Sequence, residues 1–294
     1  MIFQRLVGNK LYDVNETNKL GFPTNDAAYI PDQYLDDQEF VIFRTAHGFG
    51  DWGILSAMPR LLKQKYPNCR VYIPSEHMME SVYGRKIKTP YHIFKNNPYV
   101  DKFIHSADGD VFHDQYRIYD TDNTDIPLVE QMLKFWQFDE HEYIDSQPEM
   151  YWTDEEKEMG DYIIKKYAFD KPYATLLISD RFGTKYGKYD EAAFKNDTTK
   201  MVESIAEYDL PYFYYSATPL EDTPFNNLDK LLNLRHLNFR IQLYIKSKAV
   251  VNIGNQCGTN HMVVRYSEVI DIQRQFPMIL YALQILILNR IYGM

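Results

Sequence analysis

The chain has 294 residues, 45% of them hydrophobic and 25% charged, and a net charge of −9. That length and apolar fraction suit two folded domains of ordinary size, while the acidic balance excludes a protein that holds nucleic acid through its overall field. Its two cysteines, Cys69 and Cys257, form neither a disulfide framework nor a zinc spacing, which points to a reducing, cytoplasmic setting.

Residues 1–38 are polar, with weak periodicity, and read as an N-terminal extension packed as an irregular arm on the first domain. The opening residues hold no apolar core long enough for a signal peptide. From residue 40 the pattern becomes strand (40–45), Gly-rich turn, helix and strand (71–73). Ala57, Leu61 and Leu62 give the helix its spacing, and Tyr66-Pro67-Asn68 stops it. A helix over 76–83, a turn at 96–101, strands at 102–105 and 116–119 and a helix over 127–138 follow. A second series begins at Thr153, whose spacing to Glu156 is that of a capping box. Its helix runs to about residue 167. Then come a strand (173–178), a polar loop (180–188), a helix (197–207), a strand (212–215), a helix (241–246) and a strand (249–253). A loop (254–261) enters another helix before a last strand (269–272). Strands alternating with helices imply parallel sheets covered on both faces. The expected division is an extension (1–38), an N-terminal domain (39–150) and a C-terminal domain (151–294). Residues 278–288 are apolar except for Gln284. That falls short of the roughly 20 residues a membrane span needs, so the run reads as a buried closing helix and leaves at most peripheral membrane contact.

Chemistry concentrates in three places. Gly48-Phe49-Gly50-Asp51-Trp52-Gly53 sits between a strand and a helix and satisfies G-x-G-x-x-G literally, with Glu76 at the end of the next strand. A NAD(P)-dependent oxidoreductase is therefore one reading, although Asp51 would lie beside the pyrophosphate and Trp52 would crowd it. In the other reading Asp51 is a general base, as a carboxylate at a cleft mouth can be, or else it caps the following helix. His47 is a second candidate base, or a loop histidine bonded to backbone. In the second half, Arg181, Lys185 and Lys188 lie in a Gly-punctuated loop after a strand, where cations could take up the charge of a diphosphate leaving group without a metal. Gly258, Thr259, Asn260 and His261 open a helix whose N–H groups and side chains could hold a phosphate. The acidic groups Asp108, Asp110, His113 and Asp114, and Asp120, Asp122 and Asp125, read as solvated loops, so no metal site is expected.

These islands resemble the heptosyltransferase-like glycosyltransferases, the family that includes the ADP-heptose:lipopolysaccharide heptosyltransferases. His47-Gly48-Phe49-Gly50-Asp51, followed by Ser56-Ala57-Met58-Pro59 and a helix ending at Tyr66-Pro67, looks like that family's opening. Asn97-Pro98-Tyr99-Val100-Asp101 resembles its next signature, and Ile253-Gly254-Asn255-Gln256-Cys257-Gly258-Thr259-Asn260-His261 its C-terminal donor loop. The resemblance runs over residues 40–266. It implies a GT-B fold, two Rossmann-like domains facing each other across a cleft, and metal-independent, inverting sugar transfer from a nucleoside-diphosphate donor to a glycan or other hydroxyl-bearing acceptor. No further cofactor is implied. Asp51 matches the family's catalytic Asp, Lys185 or Lys188 its donor-phosphate lysine, Gly258 to His261 its phosphate-binding helix start, and Gly48 and Gly50 its Gly-rich turn. The sequence departs from the pattern at Gln256, where the family has Asp, at Tyr189-Asp190, where it has Trp-Pro, and in a longer interval from Asp51 to Pro59. Those departures set a catalytically silent nucleotide-sugar-binding protein beside the enzyme as an alternative.

Overall fold

In the computed structural model the structure describes residues 4–7, 10–13, 36–37, 39–44, 48–105, 133, 136, 138, 145–177, 199, 203, 210–215, 228, 230–254 and 257–271. The strand expected at 116–119, most of the helices expected at 127–138 and 197–207, and the run at 278–288 lie outside them. The chain divides into two compact units, Met1–Tyr151 and Trp152–Met294.

The first unit opens with a hairpin. β1 (Gln4–Val7) pairs antiparallel with β2 (Lys10–Asp13), Val7 facing Lys10. The extension is therefore not irregular throughout. Its signal in the sequence was the Gly8-Asn9 pair between two short runs. A parallel sheet then follows in the order β3 (Glu39–Val41), β4 (Arg70–Pro74), β5 (Lys102–Ile104). Its helices are α1 (Phe49–Gly53), α2 (Met58–Lys65), α3 (Glu76–Tyr83) and α4 (Thr89–Phe94). Ser75 caps α3 by accepting from the Met78 N–H at 3.2 Å, and Gly84 ends it at φ 69°, a conformation that glycine enters without a Cβ penalty.

The Asn97 to Asp101 signature serves this fold. The Asn97 side chain is buried and accepts from the Tyr99 N–H at 2.9 Å, shaping the turn. Asp101 accepts from the Val71 N–H on β4 and pairs with Lys63 on α2, both at 2.7 Å. Residues 145–151 are fastened to the same unit. Ser56 Oγ accepts from the Glu149 N–H, Arg60 pairs with the Glu149 carboxylate at 2.9 Å, and the Tyr151 hydroxyl donates to that carboxylate.

The second unit starts with α5 (Asp154–Ala168), and its capping box is complete. Thr153 Oγ1 accepts from the Glu156 N–H at 3.1 Å, and the Glu156 side chain accepts from the Thr153 N–H at 2.9 Å. The remaining elements are β6 (Ala174–Leu177), β7 (Tyr212–Tyr214), β8 (Leu231–Asn233), α6 (Phe239–Lys248), β9 (Val251–Gly254), α7 (Gly258–His261) and β10 (Glu268–Asp271). α6 outruns the helix expected at 241–246 at both ends, because Asn238 supplies an N-cap, accepting from the Arg240 N–H.

All five strands are parallel, in the order β10-β9-β6-β7-β8. Numbered from β6 this is the 3-2-1-4-5 arrangement of a Rossmann-type half, and the order reverses between β6 and β9. α6 is locked to α5 by Arg240, buried, which forks onto the Glu156 carboxylate at 2.7 and 3.0 Å. The two helices also meet at Gly160, where an added Cβ would lie 2.3 Å from the Tyr244 ring. Asn252 is the polar exception on a buried strand. It accepts from Thr175 Oγ1 on β6 at 2.5 Å and donates to the Lys246 carbonyl and to Ser267 Oγ, so its polar groups are satisfied internally.

The ends of β6 and β9 press together. A Cβ at Gly254 would stand 2.2 Å from the Leu177 carbonyl oxygen, a backbone atom that cannot swing aside. Gly254→Ala should therefore lower unfolding free energy by about 1–3 kcal/mol, measured by urea denaturation. Wild-type stability in that variant would show that the strand ends are not in contact.

Candidate functional site

In open α/β sheets ligands gather at the carboxyl ends of the strands, and most of the described candidates lie there. In the first unit, residues 42–44 continue β3 as buried chain, and Gly48 is the N-cap of α1. Asp51 is the third residue of α1 rather than its cap. Its side chain is 33% exposed, and one oxygen lies 3.6 Å from Nη2 of Arg44, which is fully buried. Gly48 makes room for this carboxylate, since a Cβ there would lie 2.7 Å from Asp51 Oδ2. Gly50 is half-buried in the same turn. Trp52 does not crowd the turn. It points into the core, edge-on to Phe43 and Phe94 at centroid distances of 6.5 and 6.3 Å. His47 lies outside the described residues.

The same edge carries groups the sequence reading missed. Ser75 follows β4 and His105 follows β5, with Ser75 Oγ 2.8 Å from His105 Nδ1 and the His77 ring 6.1 Å from the His105 ring. Ser75 Oγ also accepts from the Met78 N–H, so one hydroxyl joins the start of α3 to the imidazole. Glu76 belongs to α3 and lies 4.0 Å from Lys88.

In the second unit, Gly258, Thr259, Asn260 and His261 form α7, a single turn directly after β9. The structure brings Asn260 together with two residues that the sequence reading did not name as site residues, Lys246 and Tyr215. Lys246 Nζ donates to Asn260 Oδ1 at 2.6 Å and lies 5.7 Å from the centre of the Tyr215 ring. Cys257 Sγ is 3.2 Å from Thr259 Oγ1. Lys246, Asn260 and Tyr215 are each 1% exposed. Burial away from water pulls the Lys246 ammonium down to about 8, the neighbouring Cys257 thiol opposing. Burial likewise pushes the Tyr215 phenol well up. The signal for Lys246 was present in the sequence. It follows Phe239 and Leu243 by seven and three residues, which puts a lysine on the inward stripe of a helix. Arg181, Lys185, Lys188 and Gln256 lie outside the described residues. Among the described residues no group of three or more His, Cys, Asp or Glu side chains is placed to hold a metal, and no helix is long and apolar enough to cross a membrane.

A separate hollow of about 410 Å³ opens at the opposite edge of the second sheet, among Tyr167, Phe169, Lys171 and the first residues of β7 and β8. None of the candidate groups reaches it.

The fold is α/β with two Rossmann-like domains, of the GT-B type. The crystal structure of the glycosyl transferase family 9 protein from Veillonella parvula DSM 2008 matches 86% of this chain and 90% of its own, with a TM-score of 0.55 and 7% identity. E. coli ADP-heptose lps heptosyltransferase II matches 86% of this chain and 99% of its own, with a TM-score of 0.47 and 10% identity. POFUT1 in complex with GDP matches 80% of this chain and 99% of its own, with a TM-score of 0.42 and 12% identity. No family model and no curated protein sequence matches the chain. At 7% identity, the likeness to the glycosyl transferase family 9 structure is one of fold.

The buried lysine makes stability depend on pH in a definite sense. Unfolded, it holds its proton to about 10.5; folded, it releases it near 8. The unfolded chain binds more protons in between, so this group makes stability rise with pH across that window, by at most about 1.4 kcal/mol per pH unit. The tyrosines and Cys69, whose folded values are raised, act in the opposite sense at higher pH in any variant. The difference between wild type and Lys246→Met should isolate the lysine, with wild type gaining on the variant from pH about 8 to 10 in urea titrations. Parallel curves would mean the ammonium is not desolvated.

Proposed function

We propose that this chain is a glycosyltransferase that moves a sugar from a nucleoside-diphosphate donor to an acceptor hydroxyl, with inversion and without a metal. One observation carries the reading: a partly exposed carboxylate, Asp51, sits on the first strand–turn–helix of a fold shared with a glycosyltransferase, at the strand ends where such sheets take ligands. The heptosyltransferase-like motifs support it independently. The acceptor would bind to the first domain and the donor to the second.

In this mechanism the acceptor oxygen attacks the anomeric carbon while the bond to the diphosphate oxygen breaks. Asp51 takes the hydroxyl proton, and the electron pair leaves with the diphosphate. Arg44 holds the carboxylate over the turn, which fixes its direction of approach. His47 is the second candidate for the proton, and Gly48 and Gly50 keep the turn open to the substrate. Charge developing on the leaving group would be met by Arg181, Lys185 or Lys188 and by the residues Gly258 to His261. Those contacts strengthen as the reaction proceeds, which is the condition for lowering the barrier.

The test pairs binding with turnover. Wild-type protein should be stabilised in thermal-shift assays by one class of ADP-, GDP-, UDP- or CMP-sugar, and should consume it in the presence of EDTA and a suitable acceptor. Asp51→Asn should keep that shift and lose about 10²–10⁴-fold in transfer rate. Full transfer by the variant rejects Asp51 as the base. Binding without any turnover in wild type selects the silent binding protein, and stabilisation by NAD(P)H alone selects an oxidoreductase.

A further inference from the structure

The contact between Lys246 and Asn260 decides which way a buried amide faces. An ammonium group can only donate, so the atom of Asn260 that meets Lys246 Nζ at 2.6 Å must be the carbonyl Oδ1. The amide Nδ2 is thereby turned the other way. It lies 3.2 Å from the point a Gly254 Cβ would occupy, beside the last residue of β9, where the strand order reverses. Nδ2 is buried and meets no acceptor, and the hydroxyl of Tyr215, at the end of β7, is likewise buried and without a partner. A buried polar group without a partner is costly, and what these two share is a proton to give. The cation behind them has no carboxylate among its recorded contacts. On α5, Glu156 is engaged with Arg240 and Asp161 with the Tyr244 hydroxyl.

We propose that Lys246 is a positioning residue: by donating to Asn260 Oδ1 it locks the amide with Nδ2 directed at the switch point between β6 and β9, so that the second domain presents a buried donor to an oxyanion of the diphosphate class. The inference rests on the donor-binding role proposed above for the second domain and adds the residue that sets its polarity. Lys246 works through Asn260 rather than by touching the ligand. The positive charge behind the amide also strengthens Nδ2 as a donor, because hydrogen bonds in series polarise one another. Protonation is the condition for the lock. A neutral lysine can accept as well as donate, so the amide could then turn its oxygen toward the ligand and repel it. The described titratable side chains facing Lys246 are the Cys257 thiol, whose interaction favours the charged lysine, and the Tyr215 phenol beneath it.

The probe is inorganic pyrophosphate, with affinity measured by calorimetry on the full chain and folding monitored by thermal melting. Asn260→Asp keeps an oxygen toward Lys246 but replaces the donor with a second oxygen, and Asn260→Ala removes the donor without adding repulsion. Both should weaken binding by about 10- to 100-fold, the range for a lost hydrogen bond to a charged group. Lys246→Met should weaken it as well. The ratio of wild-type to Lys246→Met affinity, in which the ligand's own ionisation cancels, should fall toward one as pH rises from about 7 to about 9.5. A lysine serving only to support the fold would leave that ratio independent of pH. Unchanged affinity in both Asn260 variants, a pH-independent ratio, or no binding of pyrophosphate by folded wild type would each overturn the proposal. Failure of the transferase reading looks different. Pyrophosphate held in this manner with no nucleotide sugar consumed removes the enzyme and leaves the oxyanion site. Turnover unaffected by the Asn260 and Lys246 substitutions removes the site and leaves the enzyme.

Discussion

The second unit is organised around one close approach, the Leu177 carbonyl of β6 against the Cα of Gly254 on β9. No residue with a side chain could stand at that position without parting the strands. Because the strands stay together, Asn260 on α7 falls back over the end of the strand that precedes it. Below this point Thr175, Asn252 and Ser267 tie β6, β9 and the chain before β10 into one polar cross-brace. Above it stand the Asn260 amide, the Tyr215 hydroxyl and a lysine delivered from the helix that precedes the strand.

The first unit solves the corresponding problem with aromatic packing. Trp52, Phe43 and Phe94 fill the space beneath the first turn and let α1, only five residues long, hold its place. Short helices contribute little stability of their own, so Asp51 is positioned by the core under it and by Arg44 beside it. The Asn97 to Asp101 signature, which in the sequence looks like a site motif, turns out to brace β4 and α2.

What was legible in the sequence followed how local its cause was. The capping box at Thr153 and Glu156 is written in residues three apart, and its helix starts where they say. Parallel α/β architecture followed from the alternation of elements. α4 and β8 went unread because α4 is a single turn and a half started by Pro90, and β8 is three half-exposed residues that acquire their identity only from pairing with β7. The hairpin at residues 4–13 was obscured by the polar stretch around it. Of the candidate site, Asp51 and the Gly258 to His261 turn were named from their places after strands and again from the resemblance. Lys246 was not, since a lysine inside a helix reads as solvated unless its place on the inward stripe is counted. Ser75 and His105 meet only through the pairing of β4 with β5, a contact between residues 30 apart.

The placement of β6 at the centre of its sheet also governs how the chain must be assembled. One side of β6 is closed by β7, but the other waits for β9, and the Thr175–Asn252 bond spans 77 residues. At ribosomal rates of about 5–20 residues per second, that gap leaves an apolar strand with an open edge for about 4–15 seconds. Long-range parallel pairing is also intrinsically slow once the chain is complete. The strand order that places β6 between β7 and β9 therefore leaves the second unit in need of shielding until β9 has emerged.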